Sequence, residues 1–269
     1  MPYSYGFIGG GNMATALLAG LLKNKVCSPG DILVSDVSAT RLDFLSKEYG
    51  VTTTKENARV AKESGCIVLA VKPQILVDVA DEIVDLIPPD VTVVSILAGV
   101  KTSILRARLG GHEHIVRVMP NLPATVGKGT AGIAETEDTQ EEDLVAAEKL
   151  LGTVGETVRV EEDLMDAVTA ISGSGPGYIF RIAEILIRAG TELDLSEEQA
   201  SRLVVQTIAG AAEMLVQSDQ KPGELCRRVC SPGGTTLAGL GVMDDAGLAD
   251  ALTKGVRAAR DRSVELSSG

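Results

Sequence analysis

The sequence predicts an α/β protein with two parts: an N-terminal doubly wound, Rossmann-like sheet and an all-α C-terminal region. Two observations lead to this fold class. Short apolar runs alternate with helical segments as far as residue 160, which is typical of a parallel sheet with helices on both faces. From residue 161 onwards almost no strand pattern remains. We therefore expect two domains, formed by residues 1–160 and residues 161–269.

In the N-terminal part, apolar runs between turn-forming residues predict strands. They lie at residues 5–8, 31–36, 51–54, 66–71, 91–97, 115–118, 131–134 and 157–160. The runs at 66–71 and 91–97 are largely apolar, which indicates strands that are buried on both faces. The segments between the strands predict helices at residues 15–22, 38–49, 55–64, 75–86, 101–109 and 140–150.

In the C-terminal part, helices are predicted at residues 163–170, 177–190, 196–217, 222–230, 235–240 and 247–266. Ser196 followed by Gln199 is a capping-box signal, and Pro222 suits the first position of a helix. These helices are rich in Ala, Leu, Ile and Val and have a thin polar face. Because the sheet is already covered by its own helices, we expect them to pack against a helical partner subunit.

A glycine-rich turn connects the first strand to the first helix and reads G-x-G-x-x-A. Gly9 allows the tight turn, Gly11 lets the backbone approach a diphosphate, and Ala14 lets the helix lie close to the strand. The start of the helix then offers free N–H groups and a partial positive charge to phosphate. The turn predicts a dinucleotide site formed by Gly9, Gly10, Gly11, Asn12, Met13 and Ala14.

The loop after the second strand bears on the choice between NAD and NADP. Asp36 occupies the position that binds the ribose 2′-hydroxyl of NAD. Ser35, Ser38 and Arg41 could instead hold the 2′-phosphate of NADP, which a carboxylate would repel unless it points away. The sequence leaves both cofactors open.

Further turns are expected at the carboxyl edge of the sheet, where ligands bind in this class of fold. They are 72–74, 98–99 and 119–123. Two glycine-rich stretches lie in the helical part, at 171–180 and 229–240. The second combines hydroxyl groups with bare N–H groups at a helix start, which suits a carboxylate.

Composition excludes several classes of function. The net charge of −12 argues against nucleic acid as a partner, and no apolar run is long enough to span a membrane. Four scattered cysteines without metal spacing predict no metal site and fit a reducing cytoplasm. The N-terminus carries no pattern of a signal peptide.

The glycine-rich stretches also lack a residue suited to acid–base catalysis. They carry no His, Lys or Glu, and His112 and His114 are expected to be solvated in a surface loop. The reaction should therefore not depend on a strong side-chain acid. Reduction of an imine fits, because a protonated imine needs only a hydride and orientation.

Five stretches taken together make the sequence similar to the pyrroline-5-carboxylate reductase family. They are FIGGGNMATALLAGL (7–21), AVKPQ (70–74), RVMPN (117–121), DAVTAISGSGPGYIF (166–180) and VCSPGGTTLAGL (229–240). They span most of the chain, and the last two are specific to the family. The resemblance implies reduction of 1-pyrroline-5-carboxylate to L-proline with NADP, or alternatively NAD, by a helical dimer that often assembles into a decamer of five dimers.

The resemblance also implies roles for individual residues. The adenosine end of the cofactor falls near Asp36 and Asn57, and the nicotinamide end falls beside Val71, Lys72, Pro73 and Ala98. Met119 and Asn121 flank the nicotinamide and the substrate. The substrate carboxylate falls on Ser231, Gly233, Gly234, Thr235 and Thr236, contributed across the dimer. Thr169 lies near the substrate nitrogen and is the candidate catalytic residue that passes a proton through water.

Four positions depart from the family pattern, and two other functions stay open. Leu122 stands where Thr is common, Gly177 where Ala is common, and Met243-Asp244 where Leu-Glu is common. These changes could alter which ring compound fits best. The first alternative is an imine reductase acting on a six-membered cyclic imino acid. The second is a dinucleotide-binding regulatory dimer without catalytic activity.

Overall fold

The computed structural model of the protein describes residues 1–268 and divides into two compact units. The first consists of Met1–Ser174 together with the C-terminal residues from Ala259 onwards, and the second is Gly175–Ala258. The division falls later than the predicted boundary at residue 160. The reason is that the segment before Ser174 packs on the sheet: a Cβ atom added to Gly132 would meet Cγ1 of Val168 at 2.6 Å.

Within the described residues, the first unit contains one sheet of eight strands. The strands are β1 Tyr5–Ile8, β2 Ile32–Ser35, β3 Thr52–Thr54, β4 Cys66–Leu69, β5 Thr92–Ser95, β6 Ile115–Met119, β7 Gly129–Glu135 and β8 Gly155–Glu161. Their order in the sheet is β3-β2-β1-β4-β5-β6-β7-β8. This is the doubly wound, Rossmann-like arrangement that the sequence predicts.

The helices of the first unit follow the strands along the chain. They are α1 Asn12–Lys23, α2 Ala39–Tyr49, α3 Asn57–Glu63, α4 Leu76–Ile83, α5 Thr102–Arg108, α6 Glu141–Leu151 and α7 Met165–Val168. Apolar side chains alternate between the two faces of the sheet, as strand geometry requires. Phe7 and Val68 belong to one buried cluster, whereas Ile8 and Leu69 belong to the other.

One strand direction differs from the prediction of a parallel sheet. β7 runs antiparallel to β6, with Met119 opposite Gly132. The connection between them is residues 120–128, which is shorter than the crossover of about a dozen residues that two parallel strands need. The chain therefore turns back after β6 through the short 3-10 segment Leu122–Val126.

The carboxyl ends of the central strands are level with one another. Ile8 pairs with both Ser35 and Leu69, and Leu69 pairs with Ser95. The loops that follow β1, β2, β4 and β5 therefore leave the sheet at the same edge.

The second unit is helical. It contains α8 Gly175–Glu192, α9 Glu197–Gln217, α10 Pro222–Val229, α11 Thr235–Asp245 and the first part of α12 Leu248–Ser268. The capping box at the start of α9 is present: the Ser196 hydroxyl accepts from the Gln199 N–H at 3.2 Å, and the Gln199 side chain accepts from the Ser196 N–H at 2.9 Å.

The second unit has little core of its own. Among its described residues, the one buried hydrophobic side chain is that of Ala200, whereas Phe180 is 59%, Val216 78% and Val242 71% exposed. Covering each such side chain would contribute roughly 1.5–3 kcal/mol. In residues 1–268 no helix is both long and apolar enough to cross a membrane.

Candidate functional site

The glycine turn after β1 is open on the side where a ligand would lie. Gly9 has a φ of +99°, and a Cβ atom there would lie 2.6 Å from the carbonyl oxygen of Ala70, so only glycine fits. At Gly11, by contrast, an added Cβ would meet no heavy atom within 4 Å. Gly11 caps α1 without a side-chain hydrogen bond. The first N–H groups of α1 and this open space fit a diphosphate.

Asp36 connects the glycine turn to the start of α2. Its Oδ2 accepts from the N–H of Gly10 and its Oδ1 accepts from the N–H of Ser38, both at 2.8 Å. Each carboxylate oxygen therefore holds one of the two loops that would border the adenosine end of a dinucleotide. Asn57 is the first residue of α3. Its side chain accepts from the hydroxyl of Ser35 in β2 and donates to the Glu82 carboxylate, both at 2.7 Å.

Arg41 points back toward the glycine turn. Its guanidinium donates to the carbonyl oxygens of Gly10 and Gly11 and to the hydroxyl of Thr15, and it lies 5.0 Å from the centroid of the Phe44 ring. A fixed cation thus stands beside the open side of the turn. The sequence identified Arg41 as a candidate phosphate ligand but gave no sign that it also fixes the turn.

Ser35 cannot hold a 2′-phosphate, so this part of the sequence interpretation is wrong. The residue is fully buried at the end of β2, and its hydroxyl donates to Oδ1 of Asn57 at 2.7 Å. The side chain points into the domain because it belongs to the buried strand itself rather than to the loop. Ser38 is exposed on the loop.

The loops after β4 and β5 lie at the same edge as the glycine turn. An added Cβ at Gly9 would lie 3.1 Å from Cγ1 of Val71, so the glycine turn and the loop after β4 are in contact. Lys72 is exposed and precedes the 3-10 segment Pro73–Ile75. Ala98 is exposed after β5. The structure therefore brings these predicted cofactor residues to one edge of the sheet.

Thr169 is the first residue of a π-helical turn, Thr169–Gly173, which follows α7. Its hydroxyl donates to the carbonyl oxygen of Met165 at 2.9 Å, which leaves the hydroxyl's lone pairs for another donor. π-Helical turns are rare and occur frequently at functional sites. A Cβ added to Gly173 would lie 2.9 Å from Cε of Met119, so this turn packs against the end of β6.

Asn121 is buried between the same elements. Its Nδ2 donates to the carbonyl oxygen of Ser172 at 3.0 Å, and its Oδ1 accepts from the N–H of Thr130 at 2.9 Å. The amide keeps one N–H and one lone pair for a substrate. Sequence reasoning did not identify this bridge between β7 and the turn that carries Thr169.

A second network of polar contacts fixes the segment that precedes this turn. Glu162 accepts from the N–H and the hydroxyl of Thr102 at 2.7 and 2.8 Å, and it lies 3.5 Å from the guanidinium of Arg117. Arg117 is 3% exposed in the middle of β6. The contacts hold the segment that leads to Thr169 against α5 and β6.

The predicted carboxylate-binding stretch lies in the second unit and forms a type II turn before α11. The N–H of Gly234 donates to the carbonyl oxygen of Ser231 at 2.9 Å, and Gly233 has a φ of +67°. Pro232 and Gly233 suit the two central positions of such a turn. Gly234 caps α11 without a side-chain hydrogen bond. The N–H groups at the start of α11 and the hydroxyls of Thr235 and Thr236 are the kinds of donors that suit an anion.

The two histidines make contacts with the protein and are not fully solvated, contrary to the prediction. His112 Nε2 lies 2.7 Å from the carbonyl oxygen of Val91, and His114 Nδ1 lies 3.0 Å from Oδ2 of the buried Asp143. Both are half-buried before β6, at the amino edge of the sheet. Their polar partners come from distant segments, which a local sequence pattern does not show.

Two strongly raised pKa values also belong to the amino edge. Burial raises the pKa of Tyr5 and of Cys66 to about 12, and these residues begin β1 and β4. They lie at the opposite end of the strands from the glycine turn. Among residues 1–268, no group of three or more His, Cys, Asp or Glu side chains could hold a metal ion.

A cavity of about 990 Å³ lies along α9 in the second unit, lined by residues such as Gln199, Arg202 and Gln206. It contains none of the predicted site residues. It reflects the uncovered faces of the helices rather than the chemistry of the turns.

Comparison with known proteins connects both units to one family. A family profile described as pyrroline-5-carboxylate reductase dimerisation matches residues 162–266, and one described as NADP oxidoreductase, coenzyme F420-dependent, matches residues 4–99. A pyrroline-5-carboxylate reductase from Synechocystis sp. is 40% identical over 270 residues, which cover 99% of each chain.

Two solved structures are similar over nearly the whole chain. A pyrroline-5-carboxylate reductase from Coxiella burnetii is 37% identical with a TM-score of 0.93, and the match covers 99% of each chain. Plasmodium falciparum pyrroline carboxylate reductase, solved with NADP bound, is 30% identical with a TM-score of 0.86, and the match covers 98% of each chain.

Proposed function

Because this chain belongs to the pyrroline-5-carboxylate reductase family, we propose that the turns described above bind the cofactor and substrate of that reaction. The chain is an NADP-dependent oxidoreductase that reduces 1-pyrroline-5-carboxylate to L-proline in the last step of proline biosynthesis, and it forms a homo-oligomer. The observation that carries the proposed roles is the Ser231–Gly234 turn before α11, since a reductase of an imino acid must hold a carboxylate.

The first unit binds the cofactor. The N-terminus of α1 and the glycine turn hold the diphosphate, and Gly11 leaves room for it. Asp36 and Asn57 lie at the adenosine end, where Arg41 offers its charge to the 2′-phosphate of NADP. The proposed contacts of the nicotinamide end and of the diphosphate are made by Gly9, Gly10, Gly11, Asn12, Met13, Ala14, Val71, Lys72, Pro73 and Ala98. NADH is a second cofactor that the same residues could accept.

The substrate is held by position and by its carboxylate. The N–H groups at the start of α11 and nearby hydroxyls, contributed across the dimer, bind the carboxylate through Ser231, Gly233, Gly234, Thr235 and Thr236. Met119 and Asn121 border the ring. When bound, NADPH supplies the hydride that forms the new C–H bond at the imine carbon. The electron pair of the C=N double bond then stays on the nitrogen, which carries the proton of the amine.

Thr169 is the proposed catalytic residue. Since its hydroxyl donates to Met165, its lone pairs can accept the N–H of a protonated imine and keep the ring in one orientation. Water held by the hydroxyl then delivers the second proton, which converts the neutral product amine to its ammonium form. The reaction needs no stronger acid, because the substrate enters already protonated.

We also propose a decamer of five dimers and a cytoplasmic location. The exposed apolar side chains of α8, α9 and α11 support a large contact between copies, and four free cysteines suit a reducing compartment. In function, residues 1–160 form the dinucleotide-binding domain and residues 161–269 form the dimerisation and substrate domain. Light scattering distinguishes a dimer from a decamer.

The test is oxidation of NADPH and of NADH, followed by nicotinamide absorbance, with 1-pyrroline-5-carboxylate as the substrate. We expect rapid oxidation of NADPH and proline as the product. Cofactor binding without turnover would contradict the catalytic assignment and favour a regulatory dimer. A higher kcat/KM with a six-membered cyclic imino acid would reassign the substrate.

A further inference from the structure

The π-helical turn that begins at Thr169 has a cause in the sequence. In an α-helix the carbonyl oxygen of Ser172 would accept from the N–H of residue 176. Residue 176 is proline, which has no N–H and whose ring clashes with the carbonyl four residues before it. The helix therefore widens before Pro176, and the N–H of Ser174 donates to the carbonyl oxygen of Thr169 at 2.8 Å, five residues back.

The side chain of Asn121 supplies the donor that Pro176 cannot. Its Nδ2 lies 3.0 Å from the Ser172 carbonyl oxygen, and its Oδ1 is fixed by the Thr130 N–H at 2.9 Å. Asn121 is 9% exposed. Ser172 is half-buried, and a carbonyl shielded from water without a partner is costly, so this one amide satisfies the turn and ties it to β7 at the same time.

We propose that Asn121 is a positioning residue, which holds the π-helical turn at the place where the Thr169 hydroxyl meets the substrate nitrogen. This inference rests on the proposed role of Thr169. Packing supports it, because a Cβ added to Gly173 would lie 2.9 Å from Cε of Met119. The turn therefore has little room to shift while the amide holds it.

The test compares Asn121→Asp with the wild-type enzyme and with Thr125→Ala. Asp keeps the oxygen that accepts from Thr130 and places a second oxygen against the Ser172 carbonyl. Thr125→Ala breaks a hydrogen bond within the same 3-10 segment, to the carbonyl oxygen of Leu122 at 2.9 Å, without touching the π-helical turn. Kinetics with 1-pyrroline-5-carboxylate and titration with NADPH are measured for each full-length variant.

We expect Asn121→Asp to lower kcat about tenfold, which corresponds to about 1.4 kcal/mol on the barrier. The Kd for NADPH should stay within about twofold of the wild-type value, because the glycine turn is untouched, and Thr125→Ala should behave like the wild type. The solvent deuterium isotope effect on kcat should rise in Asn121→Asp, since a displaced hydroxyl slows delivery of the second proton to the product amine. A purely structural defect would leave that isotope effect unchanged.

A double variant separates failure of this inference from failure of the role of Thr169. If Asn121 acts through Thr169, adding Asn121→Asp to Thr169→Val should lower kcat no further. Wild-type kcat in Thr169→Val alone would overturn the role of Thr169. An impaired Thr169→Val together with an unimpaired Asn121→Asp, or losses that multiply in the double variant, would overturn the inference about Asn121.

If Asn121→Asp does not fold, Pro176→Ala is used as the alternative variant in the same measurements. It restores an N–H that competes with the Asn121 amide for the Ser172 carbonyl and lets the turn relax towards an α-helix. We expect kcat to fall several-fold and the Kd for NADPH to stay unchanged. A wild-type kcat and isotope effect in Pro176→Ala would overturn the inference.

Discussion

Replacing Gly11 by Asp should abolish cofactor binding while leaving the fold intact. Gly11 has a φ of −65° and a ψ of −174°, which any residue adopts, and an added Cβ would meet no heavy atom within 4 Å. Asp is a preferred N-cap residue and exceeds glycine by a few tenths of a kcal/mol. We therefore expect the free energy of unfolding of the cofactor-free protein to stay the same or to rise by that small amount.

The loss of affinity follows from charge. A carboxylate at residue 11 would occupy the space in front of α1 where the diphosphate is proposed to lie. Two unit charges about 4 Å apart repel each other by about 4 kcal/mol at an effective dielectric constant of about 20. That energy corresponds to a Kd for NADPH that is roughly 10³ times higher.

The assay combines titration with thermal unfolding. NADPH at about 100 times its Kd should stabilise the wild-type enzyme by about 2.7 kcal/mol, whereas Gly11→Asp should show no shift in Tm with NADPH. Gly11→Ala is the matched control for the added Cβ without the charge. Gly9→Ala is the contrasting variant, because its Cβ would lie 2.6 Å from the Ala70 carbonyl oxygen, and it should lower the Tm even without cofactor. A Kd for Gly11→Asp within tenfold of the wild type would refute the assignment of the glycine turn.

Three further predictions concern other parts of the molecule. Thr236→Val should raise the KM for 1-pyrroline-5-carboxylate roughly tenfold, since a hydrogen bond to a charged group contributes about 1.5–3 kcal/mol, and an equal rise in the KM for NADPH would remove Thr236 from the substrate site. Burial raises the pKa of the Cys66 thiol to about 12, so a thiol reagent at pH 8 should count the same number of reactive thiols in native Cys66→Ala as in native wild type, and one fewer only after denaturation. Arg159 lowers the pKa of Glu141 and Glu148 from the usual 4.5, so their contribution to stability is present above pH 4.5 and is lost as the pH falls through the lowered values; the difference in Tm between wild type and Arg159→Gln should therefore shrink towards pH 3, and a constant difference would contradict it.

The sequence was sufficient to predict most of the fold because the signals for it are local. An apolar run and the turn that ends it define β1 at Tyr5–Ile8, and the helix predicted at 38–49 appears as α2 Ala39–Tyr49. The family comparisons confirm the Rossmann-like sheet followed by a helical dimerisation region. The predicted parallel direction of β7 was wrong. The residues of β7 do not themselves indicate its direction, which follows from a connection to β6 that is too short for a parallel crossover.

The predicted site residues depend on geometry to different degrees. The glycine turn could be proposed as a cofactor site from spacing alone, because that proposed function depends on backbone N–H groups and on the absence of side chains. Ser35 was assigned to the wrong environment because it is the last residue of β2. An error of one residue in the predicted end of a strand changes whether such a side chain is expected in the core or in the loop. His112 and His114 were placed in solvent because their partners lie at residues 91 and 143.

The proposed role of Asn121 depends on a contact between two stretches of the sequence, so it cannot be found when each stretch is interpreted alone. RVMPN and SGSGPG are separate in sequence, and each can be explained alone, the first as a ligand loop and the second as a close helix contact. Pro176 removes a donor from the second stretch, and Asn121 in the first restores it at 3.0 Å. A proline four residues after a carbonyl that is shielded from water therefore predicts that a polar group elsewhere supplies the missing donor. The sequence can predict that such a residue is needed, whereas only the packing around β6 and β7 identifies which residue it is.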